Sequence, residues 1–406
     1  MKQFFIYIAI FTITTLSGCC TQKNGNSSKE EPKEMQMVND NSFAIKLFDV
    51  ACKAEKKENF CISPASAMWA LSMVANGASG NTLQQIIEAL GLEYGNIDNL
   101  NNMQSKLIKN LQSDDKETVL SIANSIWINE KLKVKEPFIT TNKNHYDALV
   151  ERAPFNETTL NRINEWCSEH TNGKISSILN RLDDNTKMLL LNALYLKSQW
   201  RDSFNPKLTT DAKFTKENGE VVDARMMKQR FRTNYLENDD FQMVSKLLGN
   251  GELEMIFILP DKDKNITQVA EKLAQGYHNY YQQMEGNTDV KLSLPKFKNE
   301  YATSLKNMLM NIGMSDAFGS KAKFDKISNA PLYIDDVFQK SYIAVDEYGV
   351  EAAAVTSVMV GLMSAHRPTT PKEIVLDRPF IYVIAERASE SKNILFMGKV
   401  GAPEND

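Results

Sequence analysis

The sequence is poor in the residues that build reactive centres. Its four histidines, His145, His170, His278 and His366, are dispersed along the chain, which disfavours an imidazole-based metal or acid–base site. There is no His-Glu-x-x-His and no Gly-x-x-x-x-Gly-Lys-Ser/Thr, so zinc-protease and phosphate-loop chemistry lack their ligands. Gly77-Ala78-Ser79-Gly80 approaches a nucleophile elbow, but it follows a helix-like run where a strand is required, and it reads as a loop. No pair of carboxylates is set apart by its spacing. An enzyme is not expected.

Basic excess is missing too. A formal net charge of −4 leaves no concentrated positive surface for nucleic acid. The five cysteines, Cys19, Cys20, Cys52, Cys61 and Cys167, share no short repeated spacing, and no metal site follows from them. An exported compartment would permit disulfides among Cys20, Cys52, Cys61 and Cys167, although Cys61 lies in an apolar run and reads as a buried thiol.

The apolar run Phe4 to Leu16 is too short for a permanent membrane helix. Preceded by Lys2, it has the form of a signal peptide. It ends in Leu16-Ser17-Gly18-Cys19, which resembles a bacterial lipobox. The resemblance implies that residues 1–18 are removed and that Cys19 carries lipid, giving an anchor and no span. Residues 19–34 are polar and without apolar period, a flexible tether. An exported protein is expected, lipid-anchored to a bacterial membrane at the outer membrane or cell surface.

From residue 35 to 406 no linker, repeat or low-complexity tract interrupts the chain, and with 42% hydrophobic residues one large domain is expected. Asn39-Asp40-Asn41 can cap a helix carrying Phe43, Leu47 and Val50. Asn59 to Ile62 reads as a short buried strand, and Ser63-Pro64 opens a second helix that stops at Gly77. A third runs from near Thr82 to Gly91. Leu120, Ile122, Asn124, Ile126 and Ile128 alternate as in a strand. A helical face carries Ile163, Trp166 and His170. Lys187 to Tyr195 is nearly continuous apolar sequence, predicting a strand buried on both faces. Further strands are predicted at Glu254–Leu259, Val290–Leu294, Tyr333–Val345, Phe380–Ala385 and Ile394–Val400, with a helix at Ala302–Asn311. Helices gather early and strands late, the pattern of an α+β fold.

One stretch carries more than packing. After Val345 come Asp346-Glu347-Tyr348-Gly349-Val350-Glu351-Ala352-Ala353-Ala354-Val355-Thr356, and about two dozen residues pass before the next strand, a long connection for a compact domain. Taken with period two, Val350, Ala352, Ala354, Thr356, Val358 and Val360 make one uncharged face. Glu351, Ala353, Val355, Ser357, Met359 and Gly361 make the other, which could face solvent. On pattern alone this fits a strand that is buried later as well as it fits a permanent strand or an alanine-rich helical turn.

The stretch from Glu347 to Thr356 resembles the hinge of the serpin family, Glu-x-Gly-Thr-Glu-Ala-Ala-Ala-x-Thr. Further resemblances follow in the family's order: Asn59 to Ser66, Gly77 to Thr82, Asn192-Ala193-Leu194-Tyr195-Leu196-Lys197 with Trp200, Leu294 to Phe297, Asp377 to Phe380, and Phe396 to Val400. The resemblance implies a serpin fold with three β-sheets, about nine helices and an exposed reactive-centre loop at about 347–372. It implies a monomer that acts as a suicide inhibitor of serine, and also cysteine, proteases. The bait bond is cut, and the loop inserts into the central sheet with the protease still attached.

Family spacing puts the bait bond at Met363–Ser364, with Leu362 and Val360 as fallback sites, which suits elastase-like or chymotrypsin-like targets. The hinge residues are then Glu347, Gly349, Val350, Ala352, Ala353 and Ala354. Ser63, Ser66, Asn192 and Gln339 match the shutter that controls sheet opening. Trp200 and Lys296 match supports higher up, Lys296 as the partner of Glu347. Val350 stands where the family has Thr and Gln339 where it has His. The segment after Ser364, with Pro368 and Pro371, runs longer than the family's. A serpin fold acting as a non-inhibitory binding or carrier lipoprotein is the alternative. No cofactor is implied.

Overall fold

Ser63 and Pro64 show how local chemistry starts an element. The Ser63 hydroxyl accepts from the Ser66 N–H, and Pro64 at the first helical position gives up no needed donor. The structure is a computed structural model that describes residues 41–92, 96–111, 118–351, 370–387 and 392–403. Cys19 and Cys20, the tether of 19–34, and the loop residues Ala352, Ala353, Ala354, Val360, Leu362, Met363 and Ser364 lie outside the described residues.

The described chain opens with α1 (Ser42–Ala54), β1 (Phe60–Ile62), α2 (Pro64–Ala75), α3 (Gly80–Ala89), α4 (Ile97–Leu111) and β2 (Thr118–Asn129). Next come α5 (Glu136–Tyr146), β3 (Leu149–Ala153), α6 (Glu157–His170), β4 (Met188–Gln199) and β5 (Thr210–Thr215). These are followed by β6 (Val221–Glu237), β7 (Phe241–Leu248), β8 (Leu253–Pro260), α7 (Ile266–Gln282), β9 (Glu285–Pro295) and β10 (Phe297–Ser304). The last are α8 (Lys306–Asn311), β11 (Asp336–Val345), β12 (Gly349–Val350), β13 (Lys372–Val375), β14 (Phe380–Glu386) and β15 (Ile394–Val400).

The strands form a six-stranded sheet, β10-β11-β12-β4-β2-β3, and a nine-stranded one, β1-β15-β14-β8-β7-β6-β9-β13 with β5 on β6. The expected third sheet is continuous with the second through the 17-residue β6, which pairs with β5 and β9 along most of its length and reaches β7 only at Tyr235–Glu237. Eight α-helices occur among the described residues against about nine expected, and α+β describes the result.

β4 is buried on both faces, as its apolar run predicts. On the outer face Ile163, Trp166 and Cys167 of α6 cluster with Leu189, Leu191 and Ala193; on the inner face Leu190, Leu194 and Leu196 join the main core. Three local expectations change. Ala302–Ser304 complete β10 by pairing with Lys340–Phe338 of β11, so α8 begins only at Lys306; a long neighbouring strand outweighs helix propensity. The Asn41 side chain accepts from the Ile394 N–H and donates to the Lys392 carbonyl, and makes no cap bond to α1. Glu351, expected on a solvent face, has a side chain only 11% exposed.

Candidate functional site: the seam of the six-stranded sheet

β4 and β11 lie side by side and parallel over Asp336–Tyr342 and Leu189–Tyr195. Past Tyr195 and Tyr342 they part, and β12 enters between them, antiparallel to both: Gly349 opposite Gln199, Val350 opposite Ser198, and Val350 opposite Val345. Val350 is fully buried in the main core. Gly349 has no room for a side chain, since a Cβ would come within 2.6 Å of Gln199 Cα and closer still to the Ser198 carbonyl. The two residues are a wedge at the head of a closed seam.

A turn anchored from three directions holds the wedge. Asp346 Oδ1 accepts from the N–H groups of Tyr348 and Gly349 at 2.8 and 3.2 Å, and burial raises the pKa of this carboxyl. The Trp200 indole N–H donates to the Asp346 carbonyl at 2.8 Å, and the Trp200 and Phe204 amides donate to the carbonyls of Tyr348 and Glu347. Glu347 accepts from the Thr209 hydroxyl at 2.8 Å and pairs with Lys296 at 3.4 Å. Burial pushes the Glu347 pKa up, but the Thr209 bond and Lys296 outweigh it and hold it below its ordinary value. The ion pair, open to water on the lysine side, contributes about 1 kcal/mol or less.

Beneath Trp200 lies a buried cation. Lys246 of β7 sits 4.6 to 5.3 Å from the ring centres of Phe204, Phe231 and Trp200. Its ammonium donates to the Asp202 carbonyl and Gln229 Oε1 at 2.7 and 2.5 Å. Burial lowers its pKa to about 7.

Lower in the seam Gln339 of β11 stands opposite Asn192 of β4. Its carboxamide accepts from the Ser63 N–H at 2.8 Å, and donates to the Ser63 carbonyl at 2.8 Å and the Ser66 hydroxyl at 3.2 Å. The Ser63 hydroxyl donates to the Leu395 carbonyl at 2.7 Å, and the Ser341 hydroxyl to the Cys61 carbonyl at 2.6 Å. These bonds tie β11 to α2, β1 and β15. Asn192 turns elsewhere, donating to Asn124 of β2 at 2.5 Å. Asn192 Oδ1 and Asn124 Nδ2 are buried and bonded to nothing, a cost each that an arriving partner would remove. Cys52, Cys61 and Cys167 are free thiols, and burial pushes the Cys61 thiol up to about 11.

A glycine-headed strand is thus wedged into an otherwise closed parallel seam, above a serine–glutamine clasp. The family model for serpins (serine protease inhibitors) matches residues 38–403. The chain belongs to the serpin family. A serpin-like protein of Methanosarcina acetivorans is 32% identical, covering 98% of this chain and 96% of its own. The bovine plasma serine protease inhibitor is 31% identical, covering 89% of each. Among solved structures, the thermophilic serpin tengpin in its native state superposes with a TM-score of 0.82 at 32% identity, covering 94% of this chain and 96% of tengpin. Human thyroxine-binding globulin complexed with thyroxine gives 0.80 at 26%, covering 90% and 98%. Serpins as a family are inhibitors more than catalysts, and some carry ligands instead.

In this serpin the structure brings Ser63, Ser66 and Gln339 into one hydrogen-bonded cluster, with Asn192 beside it. Glu347, Gly349, Val350, Trp200 and Lys296 meet at the head of the seam. Sequence reasoning passed over Asn124, Thr209 and Ser341. Asn124 did leave a signal, as the one polar residue on the core-facing side of an alternating apolar strand.

Proposed function

We propose that this serpin is a suicide-type protease inhibitor that forms a covalent acyl-enzyme and stalls it by inserting its loop into the six-stranded sheet. The target's nucleophile attacks the carbonyl of Met363 and expels the amine of Ser364, leaving the loop ester-linked to the protease (thioester-linked for a cysteine enzyme). Insertion then carries the acyl-enzyme away along the sheet, and deacylation fails because the protease's own site is pulled out of shape. Proteases with apolar primary pockets, elastase-like or chymotrypsin-like, fit a Met bait, with Leu362 and Val360 as fallbacks.

The single observation that carries this reading is the wedge of Gly349 and Val350. Continuing its register sets Ala353 between Tyr195 and Tyr342, Ala354 between Leu194 and Ser341, and Thr356 between Asn192 and Gln339. Insertion exchanges one parallel pairing for two antiparallel ones, which are slightly more stable per residue. It also carries Ala352, Ala354, Thr356, Val358 and Val360 to the core side. Sixteen or so residues at ~3.3 Å each give roughly 50 Å of travel.

Incubation with an elastase-like protease tests it: an SDS-stable complex and a released peptide beginning at Ser364 are expected. Clean cleavage without complex would favour the second reading, a binding or carrier protein, which the likeness to thyroxine-binding globulin supports. Gly349 and the three consecutive alanines of the hinge favour inhibition. The lipobox and tether support export and anchoring through Cys19 at a bacterial outer membrane or cell surface. Palmitate labelling that persists in Cys19→Ser would overturn that part.

A further inference from the structure

The hinge does not end at Val350. Glu351 keeps one bond to the sheet, its N–H donating to the Ala344 carbonyl at 2.8 Å. Its backbone then turns into the left-handed region with φ of 51°, a conformation a β-carbon disfavours. The side chain does not reach out to water. It is 11% exposed and forms an ion pair with Lys174, and it faces the Tyr195 hydroxyl, whose pKa burial and this carboxylate both raise. The second oxygen, Oε2, is buried and makes no hydrogen bond.

Lys174 belongs to the segment between α6 and β4. That segment lies over the outer face of the six-stranded sheet: Ile175, Ile178 and Leu179 pack in the α6 core, and Lys340 of β11 donates to the Ser177 carbonyl. The Lys174 ammonium stands 5.9 Å from the centre of the Tyr342 ring. Tyr342 and Tyr195 are opposite each other, and they are the first pair that must separate if β12 is to lengthen. The register assigns the place between them, on this outer face, to residue 353. The Glu351 carboxylate now stands beside Tyr195, and its partner Lys174 stands over the Tyr342 ring.

We infer that the Lys174–Glu351 pair is a latch on the seam, and that Lys174 is a positioning residue that sets how fast the loop enters the sheet. The inference rests on the insertion reading above. For the hinge to advance, Glu351 must rotate into extended backbone and withdraw its carboxylate from Tyr195 and Lys174, which breaks the pair. Until then the two tyrosines stay together and β12 stays two residues long. Because the lysine is partly exposed, the latch is weak enough to yield once insertion is driven, and sensitive to salt.

The test is uptake of a fluorescein-labelled peptide with the sequence of residues 350–360 by the uncut full chain, timed by polarisation. Lys174→Met and Glu351→Gln should each take it up about two- to fivefold faster, and the double variant no faster than the quicker single one. Lys298→Met should match wild type, since Lys298 also stands over Tyr342, at 5.4 Å, but has no ion pair with Glu351. Added salt should speed wild type and leave the double variant unchanged, a response that mere loosening of the fold does not give. Unchanged or slower uptake in the variants, additive effects, or equal salt responses overturn the latch. A wild type that takes up no peptide and gains no thermal stability on loop cleavage overturns the insertion reading together with it.

Discussion

Gly349 lies flat against the Ser198 carbonyl, and any β-carbon at that position would overlap it. The wedge therefore exists because residue 349 has no side chain. Gly349→Ala must push β12 out of the seam or spread β4 from β11, an overpacking cost of about 1–3 kcal/mol. With target protease present, the fraction of attacks ending in SDS-stable complex should fall about fivefold or more for a loss of that size. An unchanged complex yield would mean that seating of the hinge does not matter.

Insertion in the register of β12 would bring residue 354 between Leu194 and Ser341, both fully buried. Ala354→Arg should leave the uncut protein's melting temperature as it is but forbid insertion, because an unpaired buried charge costs several kcal/mol. The variant should be cleaved as an ordinary substrate. Equal complex formation by wild type and variant would show that the register is wrong.

Gln339 satisfies both backbone groups of Ser63 with one carboxamide. Gln339→Leu strands the buried Ser63 N–H, at about 1–3 kcal/mol, while the Ser63 carbonyl keeps the Ala67 N–H. A lower denaturation midpoint is expected, with amides of Asp336–Tyr342 exchanging faster than those of β14. No change in either would remove Gln339 from the control of sheet opening.

Lys246 gives a pH signature. Its folded pKa of about 7 lies below the ordinary lysine value of 10.5, so between those pH values the unfolded chain holds a proton that the native state lacks. Stability from this group therefore rises with pH across the window, and the penalty is complete below about pH 7. The groups facing the ammonium are Trp200, Phe204, Phe231, Gln229 and Asp202, so little else there titrates in the window. Lys246→Met should lack this rise, with the wild-type-minus-variant stability changing by about 1–3 kcal/mol from pH 7 to 10. Parallel pH profiles in urea titrations would mean that the aromatic cage keeps the lysine charged throughout.

What the sequence disclosed was whatever its neighbours in the chain decide. The Ser63 cap, the twice-buried β4 and the alternation of β2 are written within a few residues each. α7 was equally legible and went unread, although Asn265 and Gln268 form a capping box ahead of Ile266, Val269, Ala270, Leu273 and Tyr277. Other features depend on partners far along the chain. Asn41 resembles a helix cap until residues 392–394 arrive to take its side chain, and Ala302–Ser304 become strand only because β11 is there to pair with. The hinge motif named Glu347, but not Thr209, which binds it from 138 residues away. Glu351 was assigned to water because alternation knows nothing of Lys174.

The unbonded Asn192 Oδ1 and Asn124 Nδ2 would give insertion a direction in time. A finished protein interior leaves few polar atoms waiting, and these two wait beside the place that the register assigns to Thr356, whose hydroxyl can serve Asn192 Oδ1. On the insertion reading the closed seam is the earlier of two structures, with two polar atoms left unbonded beside it. Once the hydroxyl arrives, leaving again would strand that oxygen a second time, which makes the step a ratchet.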